Sequence, residues 1–180
     1  MPVIDVEAPG TTMLLMGNEA IARGALEAGI GFAASYPGTP SSEILPAIAE
    51  VAKRRGIYAE WSVNEMVAME AATGAALAGI RALTPMKQNG VAVIPDFLAT
   101  LAMSGTVAGL VLVSCDDPSG RNSPNEQDTR PAAKWLGLPV AEPGNFQEAK
   151  DMTKWLFDLS EEIDGICMLR CVSKISHTRG

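Results

Sequence analysis

Apolar residues in this chain fall into two kinds of run that alternate from end to end. One kind is short and continuous, as in GLVLVS at 109–114. The other repeats at three- and four-residue steps, as at Ile44, Leu45, Ile48 and Val51. The first is the pattern of a strand buried on both faces, the second that of a helix with one apolar side. Read in order, the pattern predicts strands at 11–16, 32–36, 58–63, 81–86, 109–114, 140–141 and 166–170. It predicts helices over 18–27, from a cap at Ser41 or Ser42 to the basic KRRG run that closes at Gly56, and over 65–79. Further helices are predicted over 91–103, with an irregular start at Pro95, and over 132–136 and 145–159. Residues 87–90 read as a loop, and 171–180 as a loose polar tail. Strand and helix alternating at this spacing predict an α/β fold built from crossover units. Its sheet is mostly parallel, of about six strands, with helices on both faces. A length of 180 residues suits a single domain over 1–180.

The stretch 58–79, YAEWSVNEMVAMEAATGAALAG, organises the rest. Asn64 is a good helix N-cap and Glu65 falls in the first turn after it. That junction lies at the carboxyl edge of a parallel sheet, where ligands bind in this architecture. An acid in a first turn is also what the helix dipole favours without any chemistry. After Glu70 the helix is almost entirely Ala, Gly, Thr and Leu, so another backbone can approach it closely. The other loops at strand carboxyl ends are Pro37-Gly38-Thr39-Pro40, Lys87-Gln88-Asn89-Gly90 and the long polar segment from Cys115. Together they hold most of the concentrated polar chemistry.

Composition narrows the possibilities. The net charge of -7 argues against a nucleic-acid partner, which would need clustered Lys and Arg. No apolar run approaches the ~20 residues of a membrane helix, and the N-terminus does not read as a signal peptide. The expected location is therefore cytoplasmic. Three cysteines without a CxxC pair support neither a disulfide framework nor an iron–sulfur site, and Cys167 reads as core. No GxGxxG or GxxxxGK[ST] loop occurs, and the single histidine, His177, lies in the tail. Asp116 and Asp117 are adjacent, with no third carboxylate evidently beside them, so no metal site is expected. Either the chain is not an enzyme or it holds part of an active site.

The segments GNEAIARGALEAG, YPGTPSSEI, EWSVNEMVAMEAATGAALAG, RALTPMK, NEQDTR and QEAKDM resemble the thiamine-diphosphate-dependent 2-oxoacid:ferredoxin oxidoreductases. Within that family the resemblance is to the pyrimidine-binding domain of indolepyruvate:ferredoxin oxidoreductase large subunits. It implies a three-layer α/β sandwich. It implies that Glu65 shares a proton with N1′ of the cofactor's aminopyrimidine, which promotes loss of the thiazolium C2 proton, with Pro37 and Asn64 beside it. It also implies that Thr39, with Gly38, meets the carboxylate of the 2-oxoacid, and Lys87 and Arg121 are the cationic candidates nearby. Gln88 stands where relatives often carry a histidine, which bears on substrate choice.

The GDG…N segment that holds the diphosphate through Mg²⁺ is missing from the chain, as is a cysteine-rich ferredoxin segment. The resemblance therefore implies that these parts come from partners, a diphosphate-binding subunit with that motif and a ferredoxin-like subunit carrying iron–sulfur clusters in an oligomeric complex, or from a part of the protein outside this chain. The implied reaction is CoA-dependent oxidative decarboxylation of an aryl or bulky 2-oxoacid. The alternatives are the α subunit of a non-oxidative, sulfopyruvate-type decarboxylase, and a non-catalytic scaffolding domain that keeps the fold.

Overall fold

The structure is a computed structural model and describes residues 2–180. Six strands, β1 (Phe32–Ser35), β2 (Tyr58–Trp61), β3 (Ala82–Lys87), β4 (Leu110–Asp116), β5 (Val140–Ala141) and β6 (Cys167–Val172), form one sheet in the order β2-β1-β3-β4-β6-β5. Every pairing within it is parallel. Parallel strands need crossover helices, and these cover both faces. All seven residues of β4 are buried as a result, which explains why that strand reads as an unbroken apolar run rather than an alternating one.

Helices α1 (Gly17–Glu27), α2 (Ile44–Arg55) and α7 (Phe146–Glu162) pack one face, around Ile21, Ile44, Ile48, Val111, Val113 and Phe157. The opposite face carries α3 (Glu65–Leu77), α5 (Pro95–Ser104) and α6 (Arg130–Leu136), with Met69, Met86, Leu98, Leu112 and Leu136 in its core. This is the expected three-layer sandwich. Cys115, Cys167 and Cys171 are buried within it as free thiols. Burial pushes the Cys167 thiol up to about 11, which makes it inert core rather than a nucleophile.

Local signals explain most helix ends. The side chain of Asn64 accepts a hydrogen bond from Val67 N at 2.8 Å and caps α3. Asn145 caps α7 in the same way, through Glu148 N at 2.9 Å. Gly56, at φ 69°, ends α2 in the left-handed conformation and donates to Ala52 O. Pro95 is tolerated because it opens α5, where its missing N–H has no helical acceptor to serve.

Four expectations are corrected. Residues 11–16 do not join the sheet. Their backbone pairs with the C-terminus instead: Leu15 and Gly180 exchange both N–H···O bonds, at 3.2 and 3.1 Å, and Met16 bridges Arg179. The tail is accordingly not loose. It forms a short helix α8 (Ser173–Ser176), with Ile175 and Ser176 buried, and docks where Gly17 offers no side chain to obstruct the Ile175 carbonyl. Neither Ser41 nor Ser42 caps α2: the N-cap is Glu43, and the Ser41 hydroxyl turns back to donate to Gly38 O at 2.7 Å. Residues 88–91 are one helical turn, α4 (Gln88–Val91), rather than open loop.

α1 and α7 approach so closely that a Cβ on Gly24 would overlap the carbonyl oxygen of Lys150 and the side chain of Thr153. Gly24→Ala is expected to cost about 1–3 kcal/mol, the usual range for overpacking, even though alanine is the better helix former. Urea unfolding of variant and wild type measures the loss.

Candidate active site at the sheet's crossover crevice

The strand order reverses direction between β1 and β3: the chain moves outward to β2 on one side and to β4, β6 and β5 on the other. The loops that leave the carboxyl ends of these strands therefore part there and open a crevice. Four segments line this edge: the turn after β1, the start of α3 after β2, α4 after β3, and the loop after β4.

The Pro37-Gly38-Thr39-Pro40 turn is held from behind. Gly38 O accepts from Ser41 N at 2.9 Å as well as from the Ser41 hydroxyl. The buried amide of Asn18 donates to Pro40 O at 2.7 Å and to Glu43 Oε2 at 2.6 Å. From the front, Gly38 lies on Lys87, since a Cβ there would stand 3.0 Å from the Lys87 Cβ. The Thr39–Pro40 peptide is cis. Thr39 is half-buried, and its hydroxyl has no partner among the described residues. Pro37 is exposed at the mouth of the turn.

Glu65 begins α3 one residue after its cap, with its side chain half-buried. Its carboxylate forms no hydrogen bond or ion pair among the described residues. It lies instead on the bare Cα of Gly90 in α4. The predicted residues Glu65, Asn64, Pro37, Gly38, Thr39 and Lys87 thus belong to neighbouring loops at one end of the sheet.

Lys87 is differently employed than expected. Its ammonium donates to the carbonyl of Asn122 at 2.6 Å, which ties the loop after β4 to β3. Gln88 is fully buried and donates to the hydroxyl of Ser123 at 3.0 Å. The Ser123 proton goes on to Asp117 Oδ2 at 2.9 Å, and Asn122 N donates to the same oxygen at 2.6 Å. Burial raises the Asp117 pKa, but these two donors, with Lys87 and Ser173, outweigh it and hold the carboxyl below its usual value. Asn89 adds a bond to Asn125 at 2.8 Å.

Arg121 is placed elsewhere. It lines a cleft of about 630 Å³ with Asn122, Lys174 and His177, between the ends of β4 and β6; neither Thr39 nor Glu65 borders it. Asp116 points away from its neighbour into a buried network that sequence reasoning missed. Its Oδ2 accepts from Arg170 Nε at 2.8 Å and Thr129 N at 3.0 Å. Its Oδ1 accepts from the hydroxyls of Ser114 and Thr129, both at 3.0 Å. Arg170 reaches on to Glu142, and Arg130 bonds Asp128. The Arg130 guanidinium, hydrogen-bonded to Asp128, brings that carboxyl down to about 2. Adjacent strand residues face opposite sides, so the pair Asp116-Asp117 could have warned of two networks rather than one site. Nothing in the sequence signalled the partners. Among the described residues no cluster of three or more acidic, histidine or cysteine side chains could hold a metal ion.

An all-parallel sheet with its polar loops gathered at the crossover defines a ligand-binding α/β protein. Comparison with known proteins narrows the class. Residues 23–178 match the family described as "Pyruvate flavodoxin/ferredoxin oxidoreductase, thiamine diP-bdg", and the chain belongs to that family. It is 51% identical over 174 residues to indolepyruvate oxidoreductase subunit IorA of Pyrococcus abyssi, covering 97% of this chain and 27% of that protein. It is 31% identical over 171 residues to 2-oxoglutarate synthase subunit KorA of Methanothermobacter thermautotrophicus, covering 92% of this chain and 46% of that one. The chain thus spans less than half the length of these relatives. The fold also matches a 2-oxoglutarate:ferredoxin oxidoreductase from Magnetococcus marinus, with TM-score 0.83 at 20% identity over 97% of this chain and 32% of that one.

Removing Arg170 leaves Asp116 buried without its counter-charge. Arg170→Met is expected to cost about 3–5 kcal/mol, and Asp116→Asn in the same chain to recover part of that. Denaturant titration of the single and double variants reads both numbers.

Proposed function

We propose that this chain forms the pyrimidine-binding part of a 2-oxoacid oxidoreductase and that Glu65 is its acid–base group. The observation that carries the reading is the Glu65 carboxylate: half-buried at the crossover crevice, at a helix N-terminus, with no hydrogen-bond or ion-pair partner among the described residues. A carboxyl so placed fits a ligand nitrogen with which it can share a proton. When bound, thiamine diphosphate supplies the nucleophilic carbon and electron sink that decarboxylation of a 2-oxoacid requires. The chain's own residues would then do three things. Glu65 holds or releases a proton at the pyrimidine, with Asn64 fixing the turn that carries it and Pro37 at the rim. Thr39 donates its free hydroxyl to the substrate carboxylate. The Lys87–Asn122 bond keeps the loop after β4 closed against β3.

The substrate in this reading is an aryl or similarly bulky 2-oxoacid, such as indolepyruvate or phenylglyoxylate, oxidised with coenzyme A to an acyl thioester. Greater likeness to indolepyruvate oxidoreductase subunits than to a 2-oxoglutarate synthase subunit supports that choice. Electrons would pass to ferredoxin or another acceptor through iron–sulfur clusters on a partner. A segment with the GDG…N motif, on a partner subunit or elsewhere in the same protein, would hold the diphosphate and Mg²⁺, since residues 1–180 carry none. The outer side of α3 suits assembly, because Val67 and Leu77 are exposed along it and Val63 just before its cap. Arg121 lines a separate cleft with Lys174 and His177, which makes Thr39 the first choice for the carboxylate.

In the complete enzyme, Glu65→Gln preserves size and removes the shared proton. Turnover is expected to fall about 10²- to 10⁴-fold with folding intact; turnover within a few-fold of wild type would overturn the assignment. Thr39→Val should lower kcat/KM for the 2-oxoacid about ten- to a hundred-fold, the worth of one hydroxyl bonded to a charged group. Cofactor affinity, followed by calorimetry, should stay within a few-fold.

A further inference from the structure

We infer that Gly90 is a positioning residue for the Glu65 carboxylate, a role that rests on the reading of Glu65 given above. Gly90 is buried in the single turn of α4 and is not among the glycines with positive φ. Its backbone conformation is therefore open to any residue, and in a helical turn alanine would be favoured by roughly 1 kcal/mol. What rules out a side chain is space. A Cβ at position 90 would lie 2.5 Å from Glu65 Cγ, 2.9 Å from Oε1 and 3.0 Å from Cδ. Three atoms of the Glu65 side chain, Cγ, Cδ and Oε1, thus pack over this bare Cα.

That contact matters because no polar interaction among the described residues restrains the arm. Glu65 has three side-chain torsions, and no hydrogen bond or ion pair among the described residues fixes them. Its backbone is set by the Asn64 cap. Its carboxylate is set by packing alone, which leaves both oxygens free for a ligand. Carbon atoms in ordinary contact stand about 3.5–4.0 Å apart, so a methyl group at 90 must displace Glu65 Cγ by roughly 1 Å. Misplacement of that size at a reacting group costs about a hundred-fold in rate. α4 follows directly on Lys87, which is clamped by Gly38 and Asn122, so its own freedom to retreat is small.

The test is a cycle of Gly90→Ala and Glu65→Ala in the complete enzyme with its partner chains, read by kcat, by the thiamine diphosphate dissociation constant from calorimetry, and by the thermal midpoint. With Glu65 present, Gly90→Ala is expected to lower kcat about a hundred-fold and to weaken cofactor binding. In the Glu65→Ala background, where the arm is gone, it should change all three readouts little. Equal losses in both backgrounds would overturn the inference, since Gly90 would then act through the fold alone. So would a Gly90→Ala enzyme with normal kcat and affinity. If Gly90→Ala fails to fold, the double variant is expected to fold, and its failure would count against the proposal. A Glu65→Ala enzyme with normal turnover would sink the reading of Glu65 itself, a result distinct from the others.

Discussion

Three loops meet over the carboxyl end of β3, and they can do so because two of their closest contacts involve glycine. Gly38 rests on Lys87 from the side of β1, and Gly90 receives Glu65 from the side of β2. The strand order makes this meeting possible: β1 and β3 are neighbours in the sheet, although β2 lies between them in sequence. Each contact brings backbone within van der Waals range of a functional side chain. In a close-packed interior there is no slack to absorb an added methyl group.

The second demand on this edge of the sheet is that buried polar groups find partners. Lys87, Gln88 and Asn89 are consecutive, and all three bond to residues of the loop after β4. Asp117 gathers the same loop from below through Asn122 and Ser123. A segment rich in Pro, Ser and Asn, which reads as a floppy connection, is thereby tied down at several points. On the other side of β4, Asp116 and Arg170 bind α6 to the sheet through Thr129. Two adjacent aspartates thus serve two separate networks.

Membership of the oxidoreductase family accounts for what the chain's chemistry contains and what it omits. Among the described residues the Glu65 carboxylate and the Thr39 hydroxyl lack partners, as the proposed roles require. The diphosphate segment is missing from a chain that spans only 27% of its IorA relative. The apolar outer side of α3 is consistent with the same division of labour. Its core-facing side is filled by Ala68, Met69, Ala72 and Ala76, while Val63 stays 79% exposed.

The pattern of apolar positions was enough to determine the class of fold. Buried parallel strands must be apolar on both faces and amphipathic helices on one, so β4, α2 and α7 were legible from periodicity alone. A cap was legible where a side chain acts within its own turn, as at Asn64, and a helix stop where glycine relieves the strain, as at Gly56. Glu65 stood out because a strand-to-helix junction in a parallel sheet puts its residues at the ligand edge, whereas Thr39 was singled out only by the resemblance of its turn to the family. Only the tertiary structure decided the rest, because the remaining interactions join residues far apart in the chain. It turned 11–16 away from the sheet to pair with the C-terminal residues, spent Lys87 on a carbonyl at Asn122, and put Arg121 in a different cleft. It also paired Asp116 with Arg170 and laid Glu65 on Gly90. Local sequence carries the periodicity of one element; which distant backbone comes close enough to demand a glycine is settled when the elements pack.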